Sequence, residues 1–148
     1  MSVYRDHLGL AISWACEAHD GQVDKADQPY ILHALRVMQS QPDEDARIAA
    51  VLHDTLEDGD KFDLVDVADY FGADVHDAVD ALTRREGEDY FAYIDRCYAN
   101  QIARRVKIAD LKDNMNPARE ARDGKHASRF QRYSRALCIL TDQTVVAP

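Results

Sequence analysis

Apolar residues recur along this chain at the three- and four-residue spacing of a helix face, and never in the alternation of a half-buried strand. Leu8, Ala11, Ile12 and Ala15 share one such face, closed by Gly21, and Pro29 opens a second helix carrying Leu32, Leu35 and Gln39. Asp43 caps a third, with Glu44 and Asp45 in its first turn and Ala46, Ala49, Leu52 and Leu56 inward. Asp63 to Phe71 forms a fourth, stopped by Gly72, and Val75, Val79 and Leu82 mark a fifth. Tyr90, Tyr93, Ile94 and Cys97 mark a sixth. Ile102, Val106 and Ala109 mark a seventh ending before Pro117, and Phe130, Tyr133 and Leu137 mark the last. The pattern predicts an all-α bundle of about eight helices.

A chain of 148 residues, 46% of them hydrophobic, has the length for one domain with a real core and not for two. Glycine and proline occur singly beside predicted helix ends, so one compact unit over residues 1–148 is expected. The apolar runs are short and the first 20 residues carry Arg5, Asp6, Glu17 and Asp20, which argues against both a membrane span and a signal peptide. Cys16, Cys97 and Cys138 are odd in number and far apart, a pattern that fits a reducing, cytoplasmic setting. The net charge of -9 disfavours a protein built to grip nucleic acid. That charge is unevenly spread: residues 1–80 hold 5 basic against 18 acidic side chains, and residues 81–148 hold 13 against 9. An acidic half suited to a cation thus faces a basic half suited to an anion.

His followed by Asp occurs at His19-Asp20, His53-Asp54 and His76-Asp77, where composition alone predicts about one such pair. Context separates them. His53 lies four residues after Ala49 on the buried stripe of the third helix, so its imidazole is expected to point inward. Glu57 and Asp58 follow Asp54, so three carboxylates crowd the negative end of a helix dipole, at a cost of roughly 0.3–1 kcal/mol each. Such crowding calls for a bound cation. His33 and Asp110 sit on the predicted inward faces of two other helices. Together His33, His53, Asp54 and Asp110 supply two imidazoles and two carboxylates without a thiolate. This donor set suits a six-coordinate Mn²⁺, Fe or Mg-like ion with positions left for water and substrate, rather than a structural tetrahedral zinc. His19 and Trp14 read as packed residues and His76-Asp77 as a surface pair.

The ordered set Pro29-Tyr30-Ile31-Leu32-His33, Ala50-Val51-Leu52-His53-Asp54-Thr55-Leu56-Glu57-Asp58 and Val106-Lys107-Ile108-Ala109-Asp110, with Asn114-Met115, resembles the hydrolase domain of the Rel/Spo alarmone enzymes within the HD superfamily. Ala18-His19-Asp20-Gly21-Gln22 extends the likeness towards the start of the chain, and its length resembles that of the small, single-domain alarmone hydrolases. The resemblance implies an all-helical HD domain in which His33, His53, Asp54 and Asp110 bind one Mn²⁺ and Glu57 and Asp58 handle the nucleophilic water. It implies removal of the 3′-pyrophosphate from guanosine tetraphosphate or pentaphosphate, with Lys25 and Asn114 near the nucleotide. Lys107 is a further expected phosphate contact, with Arg104 and the run Arg119, Arg122, Lys125, His126 and Arg129 as other candidates.

The chain departs from the family pattern in three places. Asp24 replaces an arginine that packs on the guanine, Leu111-Lys112-Asp113 replaces Arg-Leu-His, and Pro117 falls at a usual threonine. These changes touch the pocket wall and spare the metal set, so a different nucleotide for an HD-type phosphomonoesterase or pyrophosphohydrolase stays open, as does a nucleotide-binding module of little activity. On sequence alone, Asp24→Arg is expected to lower KM for the alarmone with kcat nearly unchanged.

Overall fold

The computed structural model describes residues 6–57, 61–120 and 123–143. Among these residues the chain forms eight α-helices and one short 3₁₀ turn, with no strand beyond an isolated bridge between Val23 and Pro29. The helices are α1 (His7–Ala18), α2 (Tyr30–Gln39), α3 (Glu44–Leu52), α4 (Leu64–Phe71), α5 (Ala73–Leu82), α6 (Tyr90–Ala99), α7 (Gln101–Asn114) and α8 (His126–Leu140), and the turn spans Pro117–Arg119. The all-α architecture read from the apolar spacing is what the chain adopts. No helix among the described residues is long and apolar enough to cross a membrane.

Helix α3 is the axis of the bundle. Ala46, Ile48, Ala49, Ala50, Val51 and Leu52 are all buried, so this helix is apolar around almost its whole circumference and is covered by α1, α2, α5 and α7. Its alanines, with Ala11, Ala15, Ala34 and Ala103 opposite, carry little side-chain bulk where helices pack. The side chain of Asp43 accepts a hydrogen bond from Ala46 N at 2.9 Å and fixes where the helix begins. Helix α7 packs against both α2 and α3, which sets His33, His53 and Asp110 on three mutually contacting elements.

The third helix is shorter than its apolar stripe implies. It ends at Leu52, and His53 to Glu57 form turns instead of the helix's last turn. The physical reason is local competition for carbonyls. His53 Nδ1 donates to Ala50 O at 2.5 Å and Thr55 Oγ1 to Leu52 O at 2.8 Å, while the backbone N–H groups of the same two residues close three-residue turns onto the same oxygens. Leu56 is accordingly half-buried, packed at the margin of the core.

Candidate metal centre and active site

His33 is 1% exposed on α2, His53 is 2% exposed at the end of α3, and Asp110 is 3% exposed on α7. Asp54 follows His53 and is partly buried. One ligand atom from each of His33, His53, Asp54 and Asp110 lies within 4.8 Å of the other three. The structure thus brings together all four residues singled out as ligands. Burying two carboxylates beside each other is unfavourable unless a cation joins them.

The protonation pattern fits such a cation. His53 Nδ1 donates to Ala50 O, which leaves Nε2 as the lone-pair nitrogen. That buried nitrogen lies 2.9 Å from Asp54 Oδ2 and 3.4 Å from Asp110 Oδ1 without an aligned hydrogen bond to either. An orphaned buried lone pair facing two carboxylates is the donor set of a divalent metal. Tyr30 donates its hydroxyl to Asp54, and Lys107 Nζ donates to Asp110 Oδ2 at 2.7 Å. In the metal-free chain a proton on Nε2 of His53 takes the place of that metal: burial alone would raise the Asp54 carboxyl, but the charge of the protonated His53 outweighs it and holds Asp54 at about 2. Asp110 is also held below the usual carboxylate range, by Lys107 and both imidazoles against its burial.

Glu57 keeps access to solvent, and its Oε1 accepts a hydrogen bond from Arg84 N at 3.0 Å. Protein crowding around the carboxylate, followed by the charge of Asp54, raises its pKa above the ordinary 4.5. A carboxylate poised upward beside a metal set is suited to accept a proton from water. Asp58, its expected partner, lies outside the described residues, as does Arg122.

A cleft of about 390 Å³ opens above Asp54 and Asp110. Lys25, Lys107, Arg119, His126 and Arg129 contribute basic groups to its walls, and Val23, Met115, Phe130 and Tyr133 contribute apolar surface. Acid thus lies at the floor and base at the rim, but the split along the chain is not carried over intact: Asp110 comes from the basic half and Lys25 from the acidic one. Lys107 and Asn114 line this cleft while also holding Asp110, Asn114 through its Nδ2 at 3.2 Å. Lys25 is exposed, and the protein crowding one side of its amine, followed by the charge of Arg129, lowers its pKa. Other basic candidates are occupied elsewhere: Arg104 bonds Leu140 O and Asp142. His19 is buried against Gln22 and Tyr30, Trp14 stacks on Phe62, and His76 pairs with Asp77 at 2.9 Å near the surface.

Asp24 has a role that its substitution for arginine conceals. Its Oδ1 accepts from Ala26 N at 2.8 Å and Gln28 N at 3.0 Å, closing the loop before α2, and its Oδ2 accepts from Arg119 Nε at 3.1 Å. Pro117 opens the 3₁₀ turn, capped by Asn116, that brings Arg119 back over the site. Two of the three departures therefore cooperate in delivering a guanidinium to the cleft wall.

Sequence reasoning missed Tyr30, Asp113 and Arg36 as members of the site. Tyr30 sits three residues before His33 and Asp113 three after Asp110, so helical spacing from the ligands was a usable signal for both. For the contact between Arg119 and Asp24, 95 residues apart, no local signal exists.

An all-helical bundle that brings His and Asp side chains together from α2, α7 and the turn after α3 defines a class, and the chain belongs to it: the HD domain family matches residues 11–132. Among curated proteins, the chain is similar to the guanosine-3′,5′-bis(diphosphate) 3′-pyrophosphohydrolase of Aquifex aeolicus, 29% identical over 124 residues covering 76% of this chain and 18% of that protein. It is also similar to a GTP pyrophosphokinase of Myxococcus xanthus, 30% identical over 83 residues covering 53% of this chain and 11% of that one. The chain thus spans less than a fifth of the length of these relatives. Among solved structures, a metazoan ortholog of SpoT described as hydrolysing ppGpp superposes with a TM-score of 0.75 at 21% identity, covering 95% of this chain and 88% of that one, and shares the fold.

Proposed function

We propose that this protein is a metal-dependent phosphohydrolase that removes the 3′-pyrophosphate from guanosine tetraphosphate or pentaphosphate, with residues 1–148 acting as one HD-type domain. The observation that carries the reading is the convergence of His33, His53, Asp54 and Asp110, with the two carboxylates opening into a cleft whose rim is basic. Mn²⁺ is the proposed ion, because two imidazoles and two carboxylates suit it and leave coordination positions open. The names of the similar proteins point to the same chemistry, and a cytoplasmic site of action goes with a small nucleotide substrate.

In this reading His33, His53, Asp54 and Asp110 would hold the metal, which would supply Lewis-acid polarisation of a phosphoryl oxygen and a lowered pKa for water. Glu57, oriented by Arg84 N, accepts the proton of the attacking water, and Asp58 shares the handling of that water. Lys107 steadies Asp110 and offsets negative charge beside the reacting group. Lys25, Arg119 and Arg129 counter the remaining phosphate charge, and Asn114 closes the wall beside the nucleotide.

Asp24 on the cleft wall favours a second reading, a different nucleotide hydrolysed by the same centre. Measuring pyrophosphate and phosphate release from a panel of nucleotides with Mn²⁺ separates the two. Pyrophosphate release from the guanosine alarmones is the expected result. Efficient cleavage of another nucleotide with none of the alarmones would keep the hydrolase class and discard the substrate.

A further inference from the structure

A histidine ligand that binds through Nε2 must carry its proton on Nδ1, and that proton needs an acceptor. His53 has the Ala50 carbonyl, a neutral acceptor within its own turn. His33 is placed differently. Its Nε2 faces Asp110 Oδ1 at 2.9 Å, and its Nδ1 lies 2.6 Å from Asp113 Oδ2, a carboxylate from another helix. Arg119 Nη1 also lies 2.9 Å from that Nδ1, but its two hydrogens are matched by Asp113 Oδ2 and Asn114 Oδ1, which leaves the Nδ1 proton to the nearer carboxylate. The two helices meet as paired one-turn steps, with ligands His33 and Asp110 at one level and Arg36 and Asp113 three residues further along each helix.

Asp113 is itself held rigidly. Arg36 donates from Nε to Oδ1 at 2.8 Å and from Nη2 to Oδ2 at 3.1 Å, a two-point grip that fixes the plane of the carboxylate. Arg119 adds a third bond from Nη1 at 3.2 Å. The Asp113 side chain is 12% exposed, whereas that of Arg36 is 43% exposed, so the cation reaches in from solvent to a largely buried acid.

We propose that Asp113 is a positioning residue for the metal ligand His33: it accepts the Nδ1 proton, selects the tautomer with the Nε2 lone pair turned to the metal cluster, and stops rotation of the ring. A charged acceptor also makes the imidazole a stronger donor than a carbonyl does. The family pattern named above has histidine at this position, so the pairing is a feature of this chain. The inference rests on the metal-centre reading, and its test separates the two.

Titrating the metal-free full chain with Mn²⁺ by calorimetry, alongside thermal unfolding without metal, provides that test. Asp113→Asn keeps the shape and removes the charge, and it is expected to weaken Mn²⁺ binding by about 10–100-fold while the metal-free protein stays folded. Arg36→Gln loosens the carboxylate from the solvent side and is expected to weaken binding less than Asp113→Asn does. A purely structural role would instead lower the metal-free unfolding temperature and leave the affinity alone. Affinity within about twofold of the unaltered chain in the folded variants overturns the proposal, and Arg36→Gln alone decides if Asp113→Asn does not fold. Absence of Mn²⁺ binding by the unaltered chain would overturn the metal reading and this inference with it.

Discussion

Arg96 and His53 both bring polar nitrogen atoms in between helices, and the two networks end differently. The five guanidinium hydrogens of Arg96 are matched by five bonds, to both oxygens of Glu88 and to the carbonyls of Asp80, Ala81 and Thr83. That knot caps the C-terminal end of α5 with a cation, where the helix dipole favours one. With His53 neutral the count does not close: Nε2 has no aligned partner, and among the described residues the carboxylates of Asp54 and Asp110 meet a single ammonium, that of Lys107. A polar network that satisfies itself holds a fold together, and one left short of positive charge is prepared for a ligand.

The largest expected effects follow from breaking the open network. Asp54→Asn removes a ligand charge and should abolish Mn²⁺ binding and hydrolysis together, as read by calorimetry and product release. A variant that hydrolyses at the original rate would remove Asp54 from the ligand set. Glu57→Gln should keep the metal and lower turnover by about 10²–10⁴-fold. The same residue sets a pH limb. Its pKa is raised above 4.5 and, in the proposed mechanism, its ionised form accepts the proton, so kcat/KM of the unaltered enzyme should fall as pH drops through that raised value, and this limb should vanish in the variant.

Breaking the closed network should leave the metal alone. Arg96→Met strands Glu88 and three carbonyls, with an expected loss of about 1–3 kcal/mol in urea unfolding and no change in Mn²⁺ affinity. Glu88 adds a sign. Its carboxyl is held below 4.5, chiefly by the hydrogen bond from Arg96, so its contribution to stability is present above that value and is lost as pH falls through the lower native one. In Glu88→Gln that acid-side loss should be absent.

The smallest effect tests the border between the two kinds of network. Asp24→Arg deletes two loop hydrogen bonds and sets a cation against Arg119, so it should raise KM severalfold with little change in kcat, opposite to the gain that sequence alone implies. A lower KM in this variant would show that Arg119 does not serve the nucleotide.

Much of this could be read along the chain because the signals are local. Helix number, the cap at Asp43, and the inward faces holding His33 and Asp110 follow from spacing within a few residues. His53-Asp54 stood out from two other His-Asp pairs through its buried stripe and the acids that follow it. The end of α3 was misjudged because Leu56 extends the apolar period, whereas the hydrogen bonds of His53 and Thr55 stop the helix.

The sequence by itself determined an all-α fold and a candidate metal set, since helical periodicity and donor chemistry are properties of short segments. Only the tertiary structure decided which groups complete the centre. Tyr30 reaches Asp54 across 24 positions, Asp113 reaches His33 across 80, and Asp24 holds Arg119 across 95. Such pairings depend on how α2, α3 and α7 pack against one another, and the packing is settled by the whole core, with Ala34, Ala49 and Val106 among the residues that set how near the helices come.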